Sequence, residues 1–474
     1  MACSSASGDV NDVSDSADLG DGVDLGDGSD VGDGSDLGDG ADLGDGSGGS
    51  VDPGTGESVV GRLRYSADAT QSPITPAIAA HLDAIADDSR HMNMFMKVGD
   101  SITAGYANMT CFASAQPHID HRLGDHSSLQ PAIDFFNTGI VDSSACDDGN
   151  AWVSTTPTVL GCSDRHNGFN RLSYAAVGGA IATLPLTGTP SLLSREDDLL
   201  RPMLAIVQYG TNDSAVIHAA ADQHYFTDYF GHLAADVDAL IDRGIVPILE
   251  TIPPKETFET TGTARNVSTI NALVRMLAQS RSIPLVDLYR ELVTIPRSGM
   301  SRYGLSDDGI HPRVVAPNPN QHATYVAGCY FEPDGLNGGV NVRNLIQLTA
   351  LDRARLVLAG GAAPDTAAGT YRGAGSTADP FVVDSLPFVD TVAASDMTTP
   401  VYALNATVAA RFRIITLDPT AGSAVSFAVD GIAKSGLGQA QLAIGMHSIT
   451  IDAPAGSAYA LAVIQLEDSD PTRE

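Results

Sequence analysis

Residues 92–105 have the sequence MNMFMKVGDSITAG. Its first half is a short apolar run that predicts a buried strand over residues 92–98, ending at Gly99. Further strands are predicted over residues 172–177, 203–209, 245–250 and 283–288, and helices over residues 74–90, 222–243, 264–280 and 341–360. Strands that alternate with helices indicate an α/β fold with a parallel sheet covered on both faces. In such sheets the chemistry lies at the carboxyl ends of the strands.

Polar residues that suit acyl transfer follow these strands in a fixed order. Ser101 comes directly after the first strand, and Asn212 follows a later strand in the segment GTND. Asp308 and His311 lie three residues apart in the segment DGIH. A serine hydroxyl needs an imidazole to take its proton and a carboxylate to fix the tautomer of that imidazole. We therefore expect Ser101 to be the nucleophile, His311 the base and Asp308 the orienting acid; the spacing disfavours the rival carboxylate, Asp307.

The segments VGDSITAG, GTND and DGIH, in this order, resemble the SGNH (GDSL-type) hydrolase family, whose members are mostly esterases and lipases. The resemblance covers about residues 90–315 and implies a flavodoxin-like three-layer sandwich with a central parallel sheet. The chain contains no Gly-X-Ser-X-Gly segment, which argues against an ordinary α/β-hydrolase elbow.

The resemblance also implies an oxyanion hole made from the N–H groups of Ser101 and a glycine, together with the side-chain amide of Asn212. Two glycines fit the second position. Gly179 lies in the segment YAAVGGA, 33 residues before Asn212. Gly139 lies in the segment NTG. If NTG were the matching segment, the family pattern would require a glycine at position 142, where this chain has Asp142. We favour Gly179.

The charge of the chain bears on its substrate. The net charge is −32, and residues 1–57 hold fifteen acidic residues and no lysine or arginine, so the remaining 417 residues carry −17. Phosphate backbones require cationic contacts, so this balance argues against nucleic acid. No apolar run approaches the ~20 residues of a membrane-spanning helix.

Two groups of histidines receive no catalytic role. One group has the character of a zinc-ligand set and comprises His118, Asp120, His121, Asp125 and His126. An exposed polar loop explains the same residues, and the expected triad needs no metal. The other group consists of His218, His224 and His232, which we expect to be solvated. The sequence therefore predicts neither a cofactor nor a metal.

The first 60 residues predict a disordered acidic linker. The hexapeptide Asp-(Leu/Val)-Gly-Asp-Gly-X repeats five times between Asp18 and Ser47, and such a segment cannot bury enough apolar surface to fold. Calcium binding is the alternative, although the period is six and no glutamate closes a loop. The start Met-Ala-Cys3-Ser-Ser resembles that of a mature bacterial lipoprotein. This implies a lipid anchor at Cys3 and an extracellular or cell-surface location.

Four further cysteines predict disulfides if the chain is exported. Cys111, Cys146, Cys162 and Cys329 allow three pairings. We favour Cys146–Cys162 together with Cys111–Cys329, because the first pair would close a local loop. Buried free thiols are the alternative.

The chain divides into three predicted parts: the linker 1–60, a hydrolase domain 61–360 with an insertion at about 106–170, and a β-sandwich 361–474 rich in short alternating strands. These features predict a secreted or surface-anchored serine esterase that acts on small-molecule or polysaccharide esters. Short-chain esters or carbohydrate O-acetyl esters are the favoured substrates. The C-terminal domain is a candidate for contact with polysaccharide. A lipase for longer acyl chains, or a binding protein on a hydrolase scaffold, is the alternative.

Overall fold

The structure is a computed structural model. It describes residues 63–105, 107–113, 121–139, 167–216, 223–256, 264–297, 302–316, 328–392, 399–416, 425–434, 439–452 and 459–465. The predictions for the acidic repeat, Cys3, His118, Asp120, Cys146, Cys162 and His218 lie outside these residues.

Residues 63–358 contain the α-helices of the described structure. The strands of this part are β1 (Leu63–Arg64), β2 (His91–Gly99), β3 (Pro202–Gln208), β4 (Val246–Glu250) and β5 (Leu285–Val286). The α-helices are α1 (Pro76–Ile85), α2 (Ser101–Ala104), α3 (Gln130–Asn137), α4 (Leu192–Leu200), α5 (Asp213–Val216), α6 (Gln223–Ile241), α7 (Ala264–Ser280), α8 (Leu288–Val293) and α9 (Gly339–Leu358). The C-terminal strands are β6 (Gly369–Thr370), β7 (Phe381–Val383), β8 (Phe388–Val392), β9 (Val401–Ala406), β10 (Ala410–Thr416), β11 (Ser426–Val429), β12 (Ile432–Lys434), β13 (Gln439–Leu442), β14 (Gly445–Asp452) and β15 (Tyr459–Gln465).

The central sheet is parallel, with the strand order β2-β3-β4-β5. Every residue of β3 and β4 is buried, and since alternate residues of a strand face opposite sides, both faces of the sheet are covered. Helices α6 and α7 pack together against β4, while α1 and α3 pack with α9, which contacts β5. This arrangement confirms the predicted α/β fold.

The predicted strand over residues 172–177 is wrong. Only Ala176 forms a bridge, a parallel one to Gly99. The reason is that side chains, and not a neighbouring strand, accept the backbone N–H groups of the two residues before Ala176. The N–H of Tyr174 donates to the Glu196 carboxylate, and the N–H of Ala175 donates to the Ser173 hydroxyl. The segment therefore turns beside the sheet and joins it at a single point.

The C-terminal strands form the predicted β-sandwich. One sheet has the order β13-β10-β15-β8 and the other the order β12-β11-β14-β9-β7. The space between them is filled by buried apolar side chains, including Phe388, Tyr402, Phe412 and Leu461.

The sandwich also packs against the α/β part of the chain. Strands β8 and β15 contact α7, and β10 contacts α6. Val389, Ile415, Ala462 and Ile464 of the sandwich belong to the same apolar core as the parallel sheet. Helix α7 is therefore covered by the central sheet and by the sandwich, and residues 58–474 form one unit. The boundary at residue 360 stays a prediction.

One buried carboxyl group in α6 makes stability depend on pH. Asp236 is 0% exposed, and among the described residues neither of its oxygens has a hydrogen-bond partner. Burial, with the charge of Asp213 adding to it, raises the pKa of Asp236 to about 8. Because this lies above the ordinary value of 3.8, folding takes up a proton, and the free energy of unfolding falls as the pH rises from about 4 to about 8.

We therefore expect Asp236→Asn to stabilise the protein at alkaline pH. The gain in the free energy of unfolding should be small near pH 4 and reach the order of 2–5 kcal/mol at pH 8. Urea unfolding at both pH values measures it, with the exposed Asp242→Asn as the matched control. A gain that does not change with pH, or a variant that is less stable at pH 8, would contradict this origin of the pH dependence.

Candidate active site

The nucleophile turn joins β2 to α2 at the carboxyl edge of the sheet. The Asp100 side chain accepts the N–H of Ile102 at 3.0 Å and so caps α2, whose first residue is Ser101. Position 99 requires glycine, because the Cβ of any other residue would lie 2.4 Å from the Thr103 hydroxyl oxygen, which is too close. Asp100 is fully buried, and this burial raises the pKa of its carboxyl group.

A chain of hydrogen bonds joins Ser101, His311 and Asp308. The Ser101 Oγ lies 2.8 Å from His311 Nε2, and His311 Nδ1 lies 2.5 Å from Asp308 Oδ2. The structure thus brings together residues that are 210 positions apart in the chain. Asp308 rather than Asp307 makes the bond to the histidine. This is the geometry in which a serine transfers its proton to an imidazole held by a carboxylate.

Asp308 is held in its ionised form. Partial burial opposes ionisation, but the backbone N–H groups of Ile310 and His311, the His311 ring and the Ser306 hydroxyl donate to the carboxylate and lower its pKa to about 2. These contacts follow from the tight turn in DGIH, where Gly309 has a φ of 68°. The carboxylate is therefore charged throughout the neutral range and can hold the histidine in one orientation.

Asn212 lies just beyond β3, next to the segment that carries Gly179. Its side-chain amide donates one hydrogen to the Ala180 carbonyl at 2.9 Å. An amide has two hydrogens, so the second can serve a substrate oxygen. Asp213 accepts the N–H of Ala182 at 3.1 Å and so supports this segment. Burial, with the nearby Asp100 charge adding to it, raises the pKa of Asp213 to about 6.

The two candidate glycines lie at opposite ends of β2. The N–H of Val177 donates to the Gly99 carbonyl at 3.0 Å, which places Gly179 beside the nucleophile turn. A Cβ on Gly139 would lie 2.2 Å from the Asn93 carbonyl oxygen, near the start of the strand. At about 3.3 Å per residue, Asn93 is on the order of 20 Å from Gly99. The structure therefore favours Gly179 on position.

Lys255 is a buried residue at this site that no motif in the sequence predicts. Its Nζ donates to the Thr211 carbonyl at 2.7 Å and to the Ser214 hydroxyl at 2.6 Å, so it holds the turn that carries Asn212. The next residue, Glu256, donates its N–H to the Gly309 carbonyl at 2.9 Å. Burial lowers the pKa of Lys255 to about 8 against the attraction of Asp100 and Asp213. The only signal in the sequence is its place just after a predicted strand and two prolines.

The residues of the possible zinc-ligand set that the structure describes have other neighbours. His121 lies 2.8 Å from the Gln130 side-chain oxygen, and the His126 ring packs against Phe331. Across the described residues, no three His, Cys, Asp or Glu side chains are placed to hold a metal ion. His232, on α6, is exposed.

The described parts of the predicted insertion pack against the central sheet. Helix α3 contacts β2, and the rings of Phe136 and Phe169 each form a T-shaped, edge-to-face pair with that of Phe95. Cys111 is joined to Cys329, which confirms this predicted disulfide. Both cysteines are fully buried. No helix in the described part of the chain is long and apolar enough to span a bilayer.

The chain is similar in sequence to one known protein family. The model of the GDSL-like lipase/acylhydrolase family matches residues 98–315. A GDSL-like lipase from Bacteroides thetaiotaomicron is 16% identical in sequence, and the match covers 59% of this chain and 97% of that chain with a TM-score of 0.31. An acetyl xylan esterase from Geobacillus stearothermophilus is 13% identical, with coverage of 56% and 96% and a TM-score of 0.30.

No curated protein matches the chain. The matched residues 98–315 contain Ser101, Gly179, Asn212, Asp308 and His311. Over residues 98–315 the chain is similar to the GDSL-like lipase/acylhydrolase family.

Proposed function

We propose that the protein is a serine esterase that works through an acyl-enzyme. The observation that carries the proposal is the hydrogen-bonded chain from Ser101 through His311 to Asp308. Ser101 Oγ bonds to the ester carbonyl carbon while its proton passes to His311 Nε2. The N–H groups of Ser101 and Gly179 and the Asn212 amide donate to the oxyanion that forms.

In the rest of the cycle the same groups act, with His311 now donating the proton that it accepted. The bond to the alcohol oxygen breaks, and His311 returns its proton to that oxygen, which leaves an ester between Ser101 and the acyl group. Water then attacks this ester and gives a proton to His311. The acid leaves as the Ser101 oxygen regains its proton, so the enzyme is restored.

We further propose short-chain or carbohydrate-bound acetyl esters as substrates. The His311 and Asp308 side chains are 43% and 46% exposed, which suits an ester that is attached to a large alcohol. A β-sandwich on the same unit offers a surface for polysaccharide. We also propose that the protein acts outside the reducing cytoplasm, because Cys111–Cys329 is a buried disulfide; a free-thiol titration of protein isolated without reductant tests this.

The substrate class is tested with p-nitrophenyl esters from two to twelve acyl carbons and with acetylated xylan. We expect kcat/KM to be highest for acetate and to fall steadily with acyl length. A preference for octanoate or longer chains would overturn the short-chain proposal and favour a lipase. Turnover of neither the nitrophenyl esters nor acetylated xylan would overturn the esterase proposal and leave a binding protein.

A further inference from the structure

We infer that helix α9 positions the proposed catalytic groups, with Arg343 holding the nucleophile turn and Asn341 holding the loop that carries His311. The inference rests on the proposed function and extends it to residues beyond the matched range 98–315. Arg343 and Asn341 touch none of the reacting atoms, so they are positioning residues.

Arg343 binds the residues that directly follow the nucleophile. Its guanidinium donates to the Ile102 carbonyl at 2.6 Å and to the Thr103 hydroxyl at 2.9 Å. Helix α2 is only four residues long, too short to be stable by its own hydrogen bonds. The orientation of Ser101 therefore depends on contacts from outside the helix, and Arg343 supplies two of them.

The guanidinium is itself fixed against the central sheet. It donates to one Glu250 carboxylate oxygen at 2.9 Å and 2.7 Å, and to the Gln208 side-chain oxygen at 3.0 Å. The Gln347 amide donates to the same Glu250 oxygen at 3.0 Å. Arg343 is 2% exposed and Glu250 is 0% exposed. The planar fork of an arginine can serve several acceptors at fixed angles, so one side chain ties α2, β3 and β4 together.

The first turn of the same helix holds the histidine loop. The Asn341 side chain accepts the N–H of Val315 at 2.9 Å and donates to the Val315 carbonyl at 3.1 Å. The backbone adds two bonds, from Gly339 N–H to the Gly304 carbonyl and from Val340 N–H to the Arg313 carbonyl. Because a helix is rigid over one turn, α9 fixes the two segments relative to each other. We infer that this sets the 2.8 Å distance between Ser101 and His311.

A buried arginine can also serve stability alone, and the chain offers a matched control for that role. Arg275 on α7 is likewise 2% exposed, forms an ion pair with Asp287 and donates to the Ser66 carbonyl. It has no contact with the nucleophile turn or the histidine loop in the described structure. Arg275→Met therefore removes a buried arginine whose hydrogen bonds reach the Ser66 carbonyl and Asp287.

The test compares Arg343→Met, Arg343→Lys and Arg275→Met on p-nitrophenyl acetate, at a temperature where circular dichroism shows each variant to be folded. We expect Arg343→Met to lower kcat by about 10–100-fold with KM within about threefold, since misplaced groups slow the chemical step more than binding. Arg275→Met should lower the melting temperature but keep kcat within about twofold. Arg343→Lys keeps a positive charge beside Glu250 but lacks the planar guanidinium. It should also lower kcat with little change in KM, and its loss of kcat should be smaller than that of Arg343→Met.

A second readout is the rate at which a fluorophosphonate probe labels Ser101, and we expect it to fall in parallel with kcat. Unchanged kcat and labelling in a folded Arg343→Met variant, or in Arg343→Lys if the methionine variant does not fold, would overturn this inference while leaving the esterase in place. If the unaltered protein neither turns over esters nor reacts with the probe, the proposed function itself is overturned and this inference with it.

Discussion

Replacing Ser101 with alanine is expected to reduce kcat for p-nitrophenyl acetate by about 10⁴-fold or more. The variant lacks the hydroxyl oxygen that bonds to the ester carbon in the proposed mechanism, while the oxyanion donors and His311 remain. Activity left over should therefore reflect only weak assistance to direct attack by water. Initial rates measured with and without the variant enzyme quantify the effect.

The control for this variant is Ser280→Ala, at the end of α7, where the hydroxyl donates only to the Leu277 carbonyl. It should retain full turnover. A Ser101→Ala protein that keeps a tenth or more of the original kcat would show that another group is the nucleophile.

Replacing His311 with glutamine is expected to have an effect of the same order, about 10⁴-fold in kcat. Glutamine can occupy similar space but cannot take the proton from Ser101 Oγ, which lies 2.8 Å from His311 Nε2. Because the two residues act as one unit, the double variant should be no slower than Ser101→Ala alone. Kinetics of both single variants and the double variant test this.

His232→Gln is the matched control for that series, since His232 is an exposed histidine on α6. We expect it to leave kcat unchanged. Losses that multiply in the double variant would mean that Ser101 and His311 act independently, which contradicts the proposed proton transfer.

Much of the fold could be predicted because apolar patterns report burial directly. Helix α7 begins and ends at the predicted residues 264 and 280, and the sheet strands lie where the apolar runs lie. The strand predicted over 172–177 failed because its residues pair with side chains, Glu196 among them, that no local pattern can identify. Local patterns also could not show that the sandwich covers α7, because that contact joins segments far apart in sequence.

The candidate site was predictable as far as its residues follow strands in short segments. Ser101 and Asn212 lie two and four residues beyond the ends of β2 and β3, and Asp308 and His311 share one turn. Lys255 and Arg343 were not predictable, because charged residues on a helix or loop usually indicate an exposed surface. The partners of Arg343 lie 93 to 241 positions away in the chain. Only the folded structure shows that these acceptors meet at one buried guanidinium.

We propose that Ser101 becomes covalently acylated, and trapping that residue is the decisive experiment. The protein is treated with a fluorophosphonate, and the modified peptide is identified by mass spectrometry. We expect one equivalent of label on Ser101, no label in Ser101→Ala and slow labelling in His311→Gln. Label on a different residue, or ester hydrolysis that continues after Ser101 is fully labelled, would contradict this mechanism.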